Sequence, residues 1–264
     1  MMEQNHRPLP SEGRQREQLA AYFLSAPPLE EQSPAMRREY LEKLRHLGQL
    51  ECRDILRNSG CARPLVWGNP APLIQALLCA AQRLGAGLGQ PLFLFPAHST
   101  AIGKGTLFHP RVLTVVTAAI VKEACLAAPR HPVWVRLHEQ SGRLVIAISA
   151  DGPFPDAETI ALAKECTRLH DGSLVHSENS VVFTCGPVCD PPANVRLYGC
   201  PTEEELLQDT LSPVWSIFYA GIYSALVSSD APSSSGETSI KSATMNASEA
   251  GSTSVESDAL EEDS

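Results

Sequence analysis

The residue types able to do chemistry are spread thinly along this chain. Of its eight cysteines, only Cys185, Cys189 and Cys200 cluster. A CxxxC followed by a lone cysteine, without a nearby histidine, matches no common zinc pattern, so small buried thiols and no metal site are expected. Gly85-Ala86-Gly87-Leu88-Gly89 follows a helical pattern and precedes a strand, the reverse of a dinucleotide fingerprint. It reads as a helix stop and a flexible turn. Ile102-Gly103-Lys104-Gly105-Thr106 hints at a phosphate loop, but His98 occupies the first glycine position of that motif, and a surface loop is expected. Ser173 and His170 are close along the chain, yet no nucleophile elbow surrounds them. Trp134 reads as a core residue of a hairpin strand. Tyr198, Trp215, Phe218, Tyr219 and Tyr223 either cover the chain's own apolar face, the preferred reading, or form a partner patch of the kind that tryptophan and tyrosine favour.

Composition narrows the classes. A hydrophobic content of 43% supports a real core over 264 residues, enough for one or two domains. Eight acidic residues and one lysine fall in 228–264, so this stretch holds most of the net charge of -9. The body is nearly neutral, and nucleic acid is excluded as an expected partner. The 228–264 stretch has no aromatic residue and is expected to be a disordered acidic tail. The first residues lack the apolar segment of a secretory signal. The longest apolar run, 211–227, contains Pro213 and Gly221 and falls short of the about 20 residues of a membrane span. A cytoplasmic protein with reduced thiols is expected.

Periodicity places the elements. A short helix is expected over 14–25. Ser33 as N-cap and Pro34 at the first helical position start a long amphipathic helix to about Arg57. Tyr40, Leu44, Leu47 and Ile55 form its apolar face, and a helix of roughly 36 Å usually pairs with another helix. Further helices are expected from Asn69-Pro70 to about Leu84, over 110–127, and over 157–169 behind Asp156. A short strand is expected at 92–95, with hairpins at 133–138 with 144–149 and at 173–177 with 181–185. A strand at 195–198 and a short helix from Thr202 follow. The order implies a mixed sheet with helices on one face, a two-layer α/β sandwich preceded by a helical segment. The boundaries are an arm at 1–32, the long helix at 33–65, the sandwich at 66–187, an apolar extension at 188–227 and the tail.

In this order, three stretches carry a resemblance: VVTAAIVKEACL at 115–126, IAIS running into Ala150-Asp151-Gly152-Pro153-Phe154, and LAKECTRLHDGSLVHSENSVVFTCGPV at 162–188. The span 66–187 resembles the histidine kinase-like, Hsp90-like (GHKL) ATPase domain of sensor histidine kinases. The resemblance implies ATP and Mg²⁺ as the family's ligands. Glu123-Ala124 stands where the family's Asn-Ala pair holds the magnesium ion, and Ala119 stands at the asparagine one turn earlier. Ala150 aligns with the aspartate that receives the adenine amino group, with Asp151 one residue on, and Phe154 replaces the second glycine of Asp-x-Gly-x-Gly. No glycine-rich lid lies between Asp156 and Gly172.

The cofactor-binding candidates carried over are Glu123, Asp151, Gly152 and Gly172. With these departures, the resemblance implies a non-catalytic binding module in signal transduction, with no resident cofactor. An active histidine kinase using Glu123 and Asp151 with ATP and Mg²⁺ is the alternative, since a carboxylate suits Mg²⁺. The preceding segment resembles the family's dimerising helical hairpin. This makes His46, in LEKLRHLGQLECRDIL, a candidate phospho-acceptor for that kinase or for a sporulation-type phosphotransferase. The family places an acidic residue after its histidine and a proline five residues on, where this chain has Leu47 and Glu51. The expected partner is another protein or a second copy in a homodimer.

Overall fold

Capping chemistry sets the helix boundaries. In a computed structural model of the chain, which describes residues 12–28, 31–57, 65–87, 94–97, 105–129 and 131–223, α1 spans Glu12–Ser25 and α2 Pro34–Arg57. Ser33 accepts a hydrogen bond from the Met36 N–H at 3.3 Å, and Pro34 takes the position where a missing N–H costs nothing. Helix α3, Ala71–Gly87, starts behind Asn69, whose side-chain oxygen accepts from the Ala71 N–H at 2.9 Å. It runs through Gly85 to Gly87 rather than stopping at Gly85. The burial of Leu77, Leu78 and Ala81 on its inner face outweighs the about 1 kcal/mol that each glycine costs a helix. His109 caps α4, Pro110–Ala127, by accepting from the Val112 N–H at 3.2 Å. Asp156 caps α5, Ala157–Leu169, through the Thr159 N–H at 2.7 Å. A reciprocal capping box between Thr202 and Glu205 opens α6, Glu203–Gln208. Val214–Tyr219 forms a short π-helix.

The strands are β1 Val66–Gly68, β2 Leu94–Ala97, β3 Gly105–Phe108, β4 Val133–Gln140, β5 Arg143–Ala150, β6 Leu174–Ser177, β7 Ser180–Cys189 and β8 Arg196–Leu197. They pair in the order β2-β4-β5-β7-β3-β1-β8, with β6 also on β7. The β2·β4 and β1·β8 pairs are parallel and the others antiparallel. Ser141 (φ 53°) and Gly142 (φ 71°) close the β4–β5 hairpin with the two positive-φ residues that a tight two-residue turn needs. Register then places Val133, Val135 and Leu137 opposite Ala150, Ile148 and Ile146, all buried on the helical face. Trp134 points the other way and is 40% exposed, so it is not a core residue. Strands alternate faces, and the helices cover only one. Two further differences concern strands with too few residues to show a period. Val66–Gly68 is a strand, and Gly105 and Thr106, expected in a surface loop, are buried in β3. Residues 102–104 lie outside the described residues, as do 1–11 and the acidic tail.

Eleven residues of the 18-residue α4 are buried, which marks a helix enclosed on more than one side. The sheet lies under it, and α2, α6 and the π-helix add to the helical side. Ile55, Leu206, Val214, Ile217, Phe218 and Ile222 join the main core with Phe108, Phe183 and the α3 and α4 leucines and valines. The rest of the α2 stripe forms a second cluster within the chain: Tyr40, Leu44, Leu47 and Leu50 pack on Leu19 and Phe23 of α1 and on Tyr219 and Ala220. Phe23 meets the Tyr40 ring edge-on at 5.0 Å. The helix partner that α2 was expected to need is therefore supplied by α1 and the π-helix. Among the described residues, no helix is long and apolar enough to cross a membrane.

His170 fastens the two central helices together. Its Nε2 accepts from the His109 N–H at 2.9 Å and its Nδ1 sits 2.6 Å from the Cys166 carbonyl, so the neutral ring carries its proton on Nδ1. Ser173 instead meets Thr184 Oγ1 at 3.2 Å, and the two residues do not form a nucleophile–base pair. Asp171 takes the left-handed position (φ 49°) after the helix, and Gly172 follows because a Cβ there would stand 1.8 Å from the Thr184 carbonyl oxygen.

Two predictions follow from these contacts. Gly172→Ala forces apart the end of α5 and β7 and should destabilise the fold by about 2 kcal/mol, read from the urea midpoint; a midpoint at the wild-type value would refute the close approach. Burial holds His170 down at about 4, from an ordinary 6.5. The unfolded chain therefore takes up this proton first as pH falls. The His170 contribution is complete above pH 6.5 and is lost between there and about 4. Between pH 7 and pH 5, wild type should lose about 2 kcal/mol more unfolding free energy than His170→Gln. Parallel pH profiles for the two proteins would contradict it.

Candidate functional site

Helices α2, α4 and α5 and the π-helix do not close fully on one another, and a cavity of about 360 Å³ remains between them. That size suits a small ligand. Its floor is apolar, with Ala119 and Leu126 of α4, Leu162 of α5 and Ile217. Its rim is ionic: Arg45 and Gln49 come from α2, Lys122 and Glu123 from α4, and Asp156 and Glu158 from the start of α5. Lys122 Nζ lies 2.7 Å from Glu123 Oε1, with 24% and 26% of the two side chains exposed. Cys52 also lines the cavity. Burial, with the negative Glu158 nearby, pushes its thiol up to about 11, so it stays protonated and is a poor nucleophile. No group of three histidine, cysteine or acidic side chains among the described residues is placed to hold a metal ion.

Of the four cofactor-binding candidates carried over by resemblance, Glu123 alone lines this cavity, beside Ala119 at the family's asparagine position. Asp151 lies on the surface, 60% exposed, with its carboxylate 3.4 Å from the His131 ring. Gly152 packs against the end of α4, where a Cβ would stand 2.9 Å from the Ala127 carbonyl oxygen. The turn holding both is pinned to the β6–β7 turn: the Ala150 N–H donates to Asn179 and the Phe154 N–H to Glu178, at 3.1 and 3.2 Å. Phe154 and Ala150 are buried in the core, and α5 begins directly after Asp156. Gly172 lies beyond the far end of the 13-residue α5, about 20 Å from the helix start that rims the cavity. His46 is half-buried on α2 and does not line the cavity.

Sequence reasoning missed Arg45, Gln49, Cys52, Thr159 and Ser216 as cavity residues. None stands in a local motif, and their meeting depends on how distant helices pack. It also missed Glu51, 2% exposed on α2 just outside the cavity. Its carboxylate accepts from the Arg111 guanidinium and, at 3.4 Å, from the Ser216 hydroxyl, with Arg16 at 3.9 Å. Arg111 also donates to the Leu211 carbonyl at 3.0 Å. Alternate charged positions on an amphipathic helix read as solvated, and only the tertiary fold buries this one.

No family model matches this chain, and no curated protein does. Among solved structures it is similar to the histidine kinase AdeS of Acinetobacter baumannii, at 11% identity and a TM-score of 0.48 over 67% of this chain and 95% of that one. It is similar to full-length ShkA in complex with AMPPNP, at 14% identity and a TM-score of 0.47 over 69% of this chain and 45% of that one. It is also similar to the histidine kinase ThkA in complex with the response regulator protein TrrA, at 11% identity and a TM-score of 0.43 over 67% of this chain and 59% of that one. At identities this low, none of them transfers a residue role to this chain.

Proposed function

We propose that the chain is a cytoplasmic histidine kinase-like ATPase-domain protein that acts in signal transduction through protein–protein contacts and does not turn over ATP. One observation carries this reading. Of the four cofactor-binding candidates only Glu123 lines the cavity, and its carboxylate is ion-paired with Lys122, while the exposed Asp151 meets the His131 ring and Gly172 lies beyond the far end of α5. Mg²⁺ is usually held by one or two carboxylates together with the substrate phosphates. Here it would have to displace the lysine, and the side chain at the adenine position is the buried methyl of Ala150. These residues do not fit Mg-ATP. The partner is another protein or a second copy. Because the apolar stripe of α2 is filled within the chain, either would meet the exposed side of this helix, where Arg38, Glu42 and Arg53 lie beside the Arg45 and Gln49 rim of the cavity.

The test is calorimetry and thermal unfolding of the full chain with Mg-ATP. A nucleotide at 100 times its dissociation constant would stabilise the protein by about 2.7 kcal/mol; no heat and no shift are expected at millimolar ATP. Micromolar binding that disappears in Glu123→Ala would replace this reading with a divergent kinase. Phosphate on His46 after incubation with a phosphorylated receiver domain, located by mass spectrometry, would replace it with a phosphotransferase.

A further inference from the structure

The Glu123 cavity is a short groove with two matched walls. Helix α2 lines it with Arg45, Gly48, Gln49 and Cys52, spaced i, i+3, i+4, i+7. Helix α4 lines it with Ala119, Lys122, Glu123 and Leu126 at the same spacing. Each wall is therefore one helix face two turns long, about 10 Å. The mouth opens to solvent, because Arg45, Gln49, Asp156 and Glu158 are all exposed. An apolar cavity of about 150 Å³ takes a benzene ring. The cavity here, about 360 Å³, therefore holds about two apolar side chains and not a helix backbone.

The rim charges are not equally engaged. Lys122 and Glu123 pair with each other, and Asp156 is held by the Thr159 N–H as the cap of α5. Among the described residues, Arg45 and Glu158 have no ion-pair partner. They stand at opposite ends of the groove. Burial first and Glu158 second raise the Cys52 thiol, so Glu158 lies at the Cys52 end, and Arg45 is two turns away on α2. We propose that the groove takes a helical segment of a partner protein. The segment presents two apolar side chains to the floor, a carboxylate to Arg45 and, two turns away, a cation to Glu158. A helix laid on such a groove reads it through the same i, i+3, i+4, i+7 positions. A free α-amino acid carries both charges on one carbon and does not span the two ends. The segment docks with α2 in place, since Leu44, Leu47 and Leu50 hold that helix on Tyr219 and Ala220. This partner rests on the reading that the chain works through protein contacts.

The probe is a fluorescein-labelled, alanine-rich peptide of about 20 residues, long enough to hold a helix, with Glu, Leu, Leu and Lys at i, i+3, i+4 and i+7. Fluorescence anisotropy measures its binding to the full chain. Arg45 is exposed, so Arg45→Glu leaves the packing untouched. This variant should bind the peptide about tenfold more weakly. A second peptide, with Lys in place of its Glu, should prefer Arg45→Glu to wild type. Replacing both leucines by alanine should abolish binding to either protein. No binding of the first peptide, or equal affinity of wild type and Arg45→Glu for it, would overturn the helical partner. Binding that falls as the chain self-associates in sedimentation runs would assign the groove to a second copy and overturn it too. Heat on adding Mg-ATP strikes the non-nucleotide reading instead, and is measured separately from the peptide.

Discussion

A carboxylate placed between helices must be met by donors, and where those donors come from determines how the helices are tied. Glu51 draws them from the first turn of α4 and from the π-helix, with Arg16 of α1 as an ion-pair partner at 3.9 Å, joining segments more than 150 residues apart in the chain. Arg111 remains 41% exposed, so the pair is partly wetted and its Coulomb attraction is screened. The contribution is accordingly more to register than to net stability. The carboxylate accepts these donors only when α2 lies at one height along the π-helix, and Gly48 allows that height by letting the two backbones touch. With α2 fixed in this way, Arg45, Gln49 and Cys52 face α4, and the cavity acquires its outer wall.

The same arrangement decides what α2 can offer to other molecules. An amphipathic helix of 24 residues has one apolar stripe to bury. Here α1 and the residues around Tyr219 take most of it, with Phe23 and Tyr40 in edge contact and Lys43 lying 3.5 Å over the Tyr22 ring. The aromatic residues near the C-terminal end of the described chain serve this purpose too. Phe218 and Tyr219 are buried, and the Trp215 ring meets that of Tyr219 at a tilt, centroids 5.1 Å apart, while donating to the Leu207 carbonyl at 2.8 Å. They close the chain's own helices, leaving mainly charged side chains on the outer face of α2.

Much of the fold was legible because its helices announce their ends. Ser33-Pro34, Asp156 and Thr202 start helices where their capping chemistry says they should, and the β4–β5 pair alternates cleanly about a two-residue turn. What escaped was short or decided by packing. Three residues of β1 and four of β3 show no period, yet both are strands because their neighbours in the sheet supply hydrogen bonds. The π-helix has no sequence signature of its own. Trp134 looks like a core residue on composition, but only register and the one-sided placement of the helices settle its face.

The candidate site was less legible, for a related reason. Glu123 could be found because it stands in a helix whose neighbours keep a recognisable pattern, and it does line the cavity. Asp151, Gly152 and Gly172 stand in equally recognisable stretches but do not line this cavity, and the two glycines sit where backbones pass close to one another. Gly172 makes room for the Thr184 carbonyl, Gly152 for that of Ala127, and the Phe154 side chain fills core space. A motif position records what a backbone can do locally, such as turn tightly or end a helix. Whether it also faces a ligand depends on which other elements arrive there. In this chain the arriving elements are α2 and the π-helix, and it is their contact, set by Gly48 and Glu51, that gives the Glu123 face of α4 its shape.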